Sequence, residues 1–117
     1  MAQFALEIDE FGRLLCRLSD GESHTTACSA EVAAGLADLT EAIDALEQEG
    51  FGECFWFISA GEYRWVLRRV EDQVRIAVMW CGSVAIGFQH VFWAESPFGE
   101  FITAMRRAIA ECPVPAL

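Results

Sequence analysis

Between Tyr63 and Trp80 the chain has little freedom in how it pairs with itself. Tyr63, Trp65 and Leu67 alternate with Arg64, Val66 and Arg68, and beyond Glu71-Asp72 the residues Val74, Ile76, Val78 and Trp80 alternate with Arg75, Ala77 and Met79. Period-two alternation marks strands with one buried face. A turn centred on Glu71-Asp72 sets Trp65 opposite Val78 and Leu67 opposite Ile76, so both apolar sets fall on one side. A slip of one residue would send every one of these side chains to the wrong face. The same register puts Arg68 across from Arg75 on the other side, with Arg64 nearby. Like charges so opposed are mildly destabilising unless a carboxylate or anion lies between them. The three arginines therefore read either as partners of the chain's own acids or as an anion site.

The flanking segments add strands and two helices. Phe4, Leu6 and Ile8 alternate with Ala5, Glu7 and Asp9, and after Phe11-Gly12 the residues Leu14, Cys16 and Leu18 alternate with Arg13 and Arg17, a pattern for two short strands and a tight turn. Ser19 to Thr26 reads as a polar loop. Ser29 is placed as an N-cap with Glu31 in the first turn, and Val32, Leu36, Leu39, Ile43 and Leu46 recur at helical spacing up to Gly50, the expected stop. Phe51–Ser59 has large apolar residues on both parities, which predicts a central strand covered on both faces or an interface strand. Gly82-Ser83 forms a further turn before a strand from Val84 to about Trp93. Ser96-Pro97 then opens a helix with Phe98, Phe101, Ile102, Met105 and Ile109 buried and Arg106 and Arg107 near its C-terminal end, and Cys112-Pro113-Val114-Pro115 ends it. The expected fold is a single α+β domain over 1–117, an antiparallel sheet of about six strands in the order ββα-ββββα with two helices on one face.

Charge narrows the function classes. Residues 1–62 carry 13 carboxylates against Arg13 and Arg17, whereas residues 63–117 carry six Arg against five carboxylates, and the chain has no Lys. A net charge of −10 opposes nucleic acid and anionic membrane and speeds encounter with basic partners. The N-terminal residues do not read as a signal peptide, and the longest apolar run, Ile76–Cys81, is far short of a membrane span. Five cysteines without tight spacing read as reduced thiols in a cytoplasm. His24 in a loop and His90, placed with Phe88 and Phe92 on the core side of a strand, form no metal-ligand spacing. No Gly-rich phosphate motif is present, so neither a metal nor a cofactor is expected. Cys81 and His90 flank one turn and are the one pair that nucleophilic catalysis could use, given hydrogen-bond contact and a third orienting group.

The acids of the first helix carry the main functional reading. At 100° per residue, Asp38, Glu41 and Asp44 point away from the apolar stripe, with Glu31 and Glu49 beside them. An exposed helix ordinarily intersperses acids with Lys or Arg four residues on. Here Asp38 meets Ala42, Glu41 meets Ala45 and Asp44 meets Gln48, so repulsion goes unrelieved within the helix. A basic protein supplying the cations in trans would relieve it. The aromatic Phe51–Ser59 strand offers an apolar anchor for that partner, or a homodimer contact.

The run Gly61-Glu62-Tyr63-Arg64-Trp65-Val66-Leu67-Arg68-Arg69, then Gln73 to Val78, closed by the helix of Phe98, Phe101, Met105, Arg106 and Arg107, resembles the small cytoplasmic immunity proteins of bacterial polymorphic-toxin and contact-dependent inhibition systems. That resemblance implies a non-enzymatic inhibitor, often acidic, that plugs a basic toxin domain. The docking face is then Glu31, Asp38, Glu41, Asp44 and Glu49. Acidic secretion-system chaperones are a looser likeness, and a small enzyme using Cys81 and His90 is the catalytic alternative.

Overall fold

A computed structural model describes residues 2–112 of the chain; the predicted Pro113–Pro115 stop lies outside the described residues. The order is β1 (Gln3–Ile8), β2 (Leu14–Ser19), β3 (His24–Ser29), α1 (Val32–Glu49), β4 (Phe51–Ile58), β5 (Gly61–Val70), β6 (Gln73–Cys81), β7 (Gln89–Pro97) and α2 (Phe98–Glu111). The fold is α+β with two helices, but its strands form two antiparallel sheets. One has three strands in the order β1-β2-β3, the other four in the order β4-β5-β6-β7. This corrects the single six-stranded sheet.

The seventh strand is β3, where the polar run His24-Thr25-Thr26 reads as loop. Its pairing with β2, Leu18 to Thr25 and Cys16 to Ala27, makes it a strand, and only its second half, Ala27 to Ser29, is buried. The tight reversal before it is held by Asp20, whose carboxylate accepts hydrogen bonds from the backbone N–H of Glu22 and Ser23.

The β5–β6 register is as predicted, with Trp65 opposite Val78, Leu67 opposite Ile76 and Arg68 opposite Arg75. Buried positions alternate through the larger sheet, so Cys54, Trp56, Trp65, Leu67, Val74, Ile76, Val78, Phe92 and Ala94 line one face. Both helices and the smaller sheet cover that face in one continuous core. Gly50 closes α1 in a left-handed conformation (φ 81°), its N–H donating to the Leu46 carbonyl. In α2, Phe101, Ile102 and Met105 are buried, with Phe98 and Ile109 partly so.

Several boundaries differ. Ser29 ends β3 and its hydroxyl donates to the Glu31 carbonyl at 3.0 Å, so it does not cap α1, and Glu31 occupies the N-cap position. Pro97 still pairs with Gln73 in the sheet, which delays α2 to Phe98 and buries Ser96 in the strand. Residues Val84 to Gly87 form a turn that closes on the Ser83 carbonyl, so the last strand starts only at Gln89. β4 is an edge strand covered on one face only, leaving Phe51, Phe55 and Phe57 exposed on the other.

Two buried tryptophans differ in their polar satisfaction. Trp56 and Trp65 lie 5.0 Å apart between ring centroids, and Trp56 Nε1–H donates to the Gly35 carbonyl of α1 at 3.0 Å. Trp65 Nε1 has no partner among the described residues. Replacing either indole by Phe trims the same volume, but only Trp56→Phe removes a hydrogen bond. Trp65→Phe is expected to cost about 1–2 kcal/mol less than Trp56→Phe in urea denaturation, because it deletes a donor that folding leaves unpaired.

Candidate functional site

The acids of α1 do not form one face. Taking the stripe of Val32, Leu36, Leu39, Ile43 and Leu46 as centre, helical geometry puts Asp44 about 120° to one side and Asp38, Glu31 and Glu49 about 100–120° to the other, with Glu41 outermost. The two flanks meet different neighbours. On the first, Arg106 of α2 donates to Asp44 Oδ1 at 2.9 Å and to Glu47 Oε1 at 2.7 Å. This corrects two expectations at once: Arg106 serves as an interhelical clamp and is not in the last turn of its own helix, and Asp44 has a cation within the chain. Half-exposed pairs of this kind contribute modestly, about 0.2–1 kcal/mol each.

The other flank is different. Glu31 and Asp38 border a groove of about 290 Å³ whose remaining walls are Ser29, Ala30, Ala34, Gly35, Phe55 and Phe57. The local fold explains it. The Ala30 N–H donates to the Phe57 carbonyl at 2.8 Å, tying the start of α1 to the edge of β4. Gly35 lets the helix lie close, since a Cβ there would sit 2.9 Å from Leu14 Cδ2 and 2.9 Å from Ser29 Oγ. The groove therefore has carboxylates on the helix side and two phenyl rings on the strand side. Phe57 is 57 % exposed. Among the described residues Glu31, Asp38, Glu41 and Glu49 form no ion pair. Arg64 reaches over the Phe55 ring at 5.7 Å and is itself paired with Glu53. An aromatic wall facing carboxylates accepts a guanidinium or ammonium group, which stacks on the ring and hydrogen-bonds to the acid. Phe55 and Phe57 were legible in sequence only as a possible apolar anchor, and their meeting with Asp38 follows from β4 lying at the sheet edge.

The arginines of the β5–β6 hairpin are mostly answered by the chain's own acids. Arg64 pairs with Glu53, and Arg75 with Glu95 at 3.4 Å. Arg68 has no ion-pair partner among the described residues.

Cys81 and His90 are not brought together. A bulge between Val78 and Met79 sets His90 opposite Met79, so it is exposed and not aligned with the core as its parity predicts. The Cys81 thiol donates to the Ser83 carbonyl at 3.5 Å, and no hydrogen bond joins it to His90 among the described residues. Burial pushes the thiols of Cys16, Cys54, Cys28 and Cys112 up from their ordinary range. Native alkylation with iodoacetamide at pH 8 is expected to label Cys81, the one cysteine not buried, with the other four reacting only on unfolding; peptide mass mapping reads this directly.

No group of three or more His, Cys, Asp or Glu side chains among the described residues could hold a metal ion, and no helix there is long and apolar enough to cross a membrane. What the fold and groove define is an α+β domain of two antiparallel sheets with an acidic, aromatic-walled cleft beside its first helix. No protein-family model matches the chain, nor does any curated protein or solved structure.

Proposed function

We propose that this chain is a binding protein that captures a basic protein segment, acting as an immunity-type inhibitor of a cationic toxin domain. The observation that carries the reading is the division of the α1 acids: Asp44 and Glu47 share the one Arg106 cation, while Glu31 and Asp38 have no ion pair among the described residues and stand beside Phe55 and Phe57. The unpaired acids supply charge, and the rings supply the apolar contact that long-range attraction alone lacks. The remaining negative field of the chain steers a basic partner toward this side. An Arg or Lys side chain of the partner enters the groove, with Glu41 and Glu49 meeting further cations along the exposed helix.

The reading is tested with the full chain and a fluorescent arginine-rich peptide, by anisotropy at about 50 mM and about 500 mM salt. Screening at the higher salt shortens the Debye length to about 4 Å. Binding that weakens strongly with salt yet survives at a reduced level, because ring stacking is not screened, supports the acid–aromatic groove. Absence of binding at low salt contradicts it.

A further inference from the structure

The second surface is the outer face of the four-stranded sheet, which neither helix covers. It presents Phe51, Phe55 and Phe57 from β4, Val66 from β5, Met79 from β6 and Trp93 from β7, with Trp93 54 % exposed. Strands about 4.8 Å apart and about eight paired residues long span roughly 500 Å² in projection. Two such faces pressed together bury roughly 1,000 Å², the lower bound for a specific interface.

The charges on this face differ from those on the rest of the molecule. The face carries Glu53, Glu62 and Glu95 against Arg64, Arg68 and Arg75, so it is neutral in a chain of net charge −10. Two copies meeting here therefore avoid the local like-charge contacts that two acidic α1 faces would bring together. Two of the three pairs are closed within the chain, Arg64 with Glu53 and Arg75 with Glu95. That leaves one cation, Arg68, and one acid, Glu62, without ion pairs among the described residues. They lie on the same face of β5, six residues and so about 20 Å apart, too far to meet within one copy.

A two-fold axis running across the strands, level with the midpoint between Arg64 and Val66, exchanges these two positions. It sets Arg68 over the partner's Glu62 and, by symmetry, Glu62 under the partner's Arg68. Phe51 is paired with Arg68 and Phe57 with Glu62 across β4–β5, so the same operation brings Phe51 over the partner's Phe57. One axis thus closes both leftover charges and stacks the edge aromatics, as an isologous interface requires. We infer that the outer face of β4–β7 is a homodimer interface in which two sheets pack face to face, closed by reciprocal Arg68–Glu62 pairs. The interface shares Phe55 and Phe57 with the docking groove, so a second copy and a basic segment compete for those rings, whereas Arg68, Glu62 and Trp93 do not line the groove and report on the dimer alone.

Sedimentation equilibrium of the full chain tests it. The expected mass is twice the 13.0 kDa of one chain, falling to one chain on dilution. Arg68→Glu alone and Glu62→Arg alone each place like charges at both reciprocal contacts and are expected to weaken the dimer at least tenfold. The double exchange, Arg68→Glu with Glu62→Arg, restores the opposite-charge pairs and is expected to recover the dimer. Trp93→Ala weakens it by a similar factor without touching the charges. A wild-type chain that stays monomeric at about 1 mM overturns the inference. So does a double exchange no tighter than either single variant, because that result places the charges apart and leaves the face to another partner.

Discussion

Gly52→Ala is expected to lower the melting temperature by about 8 °C or more, a large effect for a single methyl group. Gly52 lies on the buried face of β4, directly beneath α1. A Cβ there would overlap the Ala42 carbonyl oxygen and come within 2.9 Å of its carbonyl carbon. These are backbone atoms in the middle of an 18-residue helix anchored by Leu39, Ile43 and Leu46, all fully buried. No rotamer change relieves the overlap, so the whole helix must lift from the sheet. Overpacking typically costs about 1–3 kcal/mol and reaches the upper end or beyond against a rigid neighbour, and for a chain of this size each kcal/mol is worth about 4 °C. The gain from a less flexible unfolded chain, about 0.4–1 kcal/mol, does not offset it. Gly99, near the start of α2, is the internal control. Nothing approaches a Cβ there, and Gly99→Ala is expected to raise the melting temperature by a few degrees through helix propensity. Thermal melts followed by far-ultraviolet circular dichroism compare the two directly.

The second large effect is on binding. Changing Glu31, Asp38 and Glu41 to Gln, Asn and Gln is expected to weaken the arginine-rich peptide at least tenfold at low salt, while leaving the melting temperature within about 2 °C. The small effect on stability follows because these three carboxylates form no ion pair among the described residues and their mutual repulsion is relieved. Net charge alone could mimic part of the loss, so the comparison is a chain with Glu22, Glu100 and Glu111 changed to Gln. That variant carries the same charge but spreads the change over exposed positions outside the groove, and it is expected to lose less than threefold. Equal losses in the two chains would make the effect one of overall field and remove the groove from the account.

The predictability of these features from sequence follows from the range of the interactions that set them. The β5–β6 register, the α1 stripe and its Gly50 stop are decided by neighbours along the chain, where alternation, helical spacing and turn chemistry are visible. β3 was hidden because Thr25 and Thr26 carry no apolar signal and owe their strand state to pairing with β2. The separation into two sheets depends on long-range partner choice, which a pattern of single strands does not encode. The α1 acids were legible as an uncompensated charge run, and among the described residues that holds for Glu31, Asp38, Glu41 and Glu49. It fails for Asp44 because the compensating cation, Arg106, lies 62 residues away in sequence. Treating acids at 120° either side of the stripe as one surface merged two flanks that pack against different elements. The aromatic half of the groove was least visible, since equal apolar content on both parities of Phe51–Ser59 resembles a covered strand and the edge position of β4 emerges only in three dimensions.

In the proposed binding mode a basic segment docks between the start of α1 and the edge of β4. Its most direct test is a ¹H–¹⁵N titration of the full chain with the arginine-rich peptide. Saturating shifts are expected, concentrated at Ala30 to Asp38 and at Phe55 to Phe57, with little change near Asp44 and Glu47, where Arg106 already pairs with the acids. Shifts spread evenly over the exposed carboxylates, with Glu22, Glu100 and Glu111 moving as much as Asp38, would contradict it.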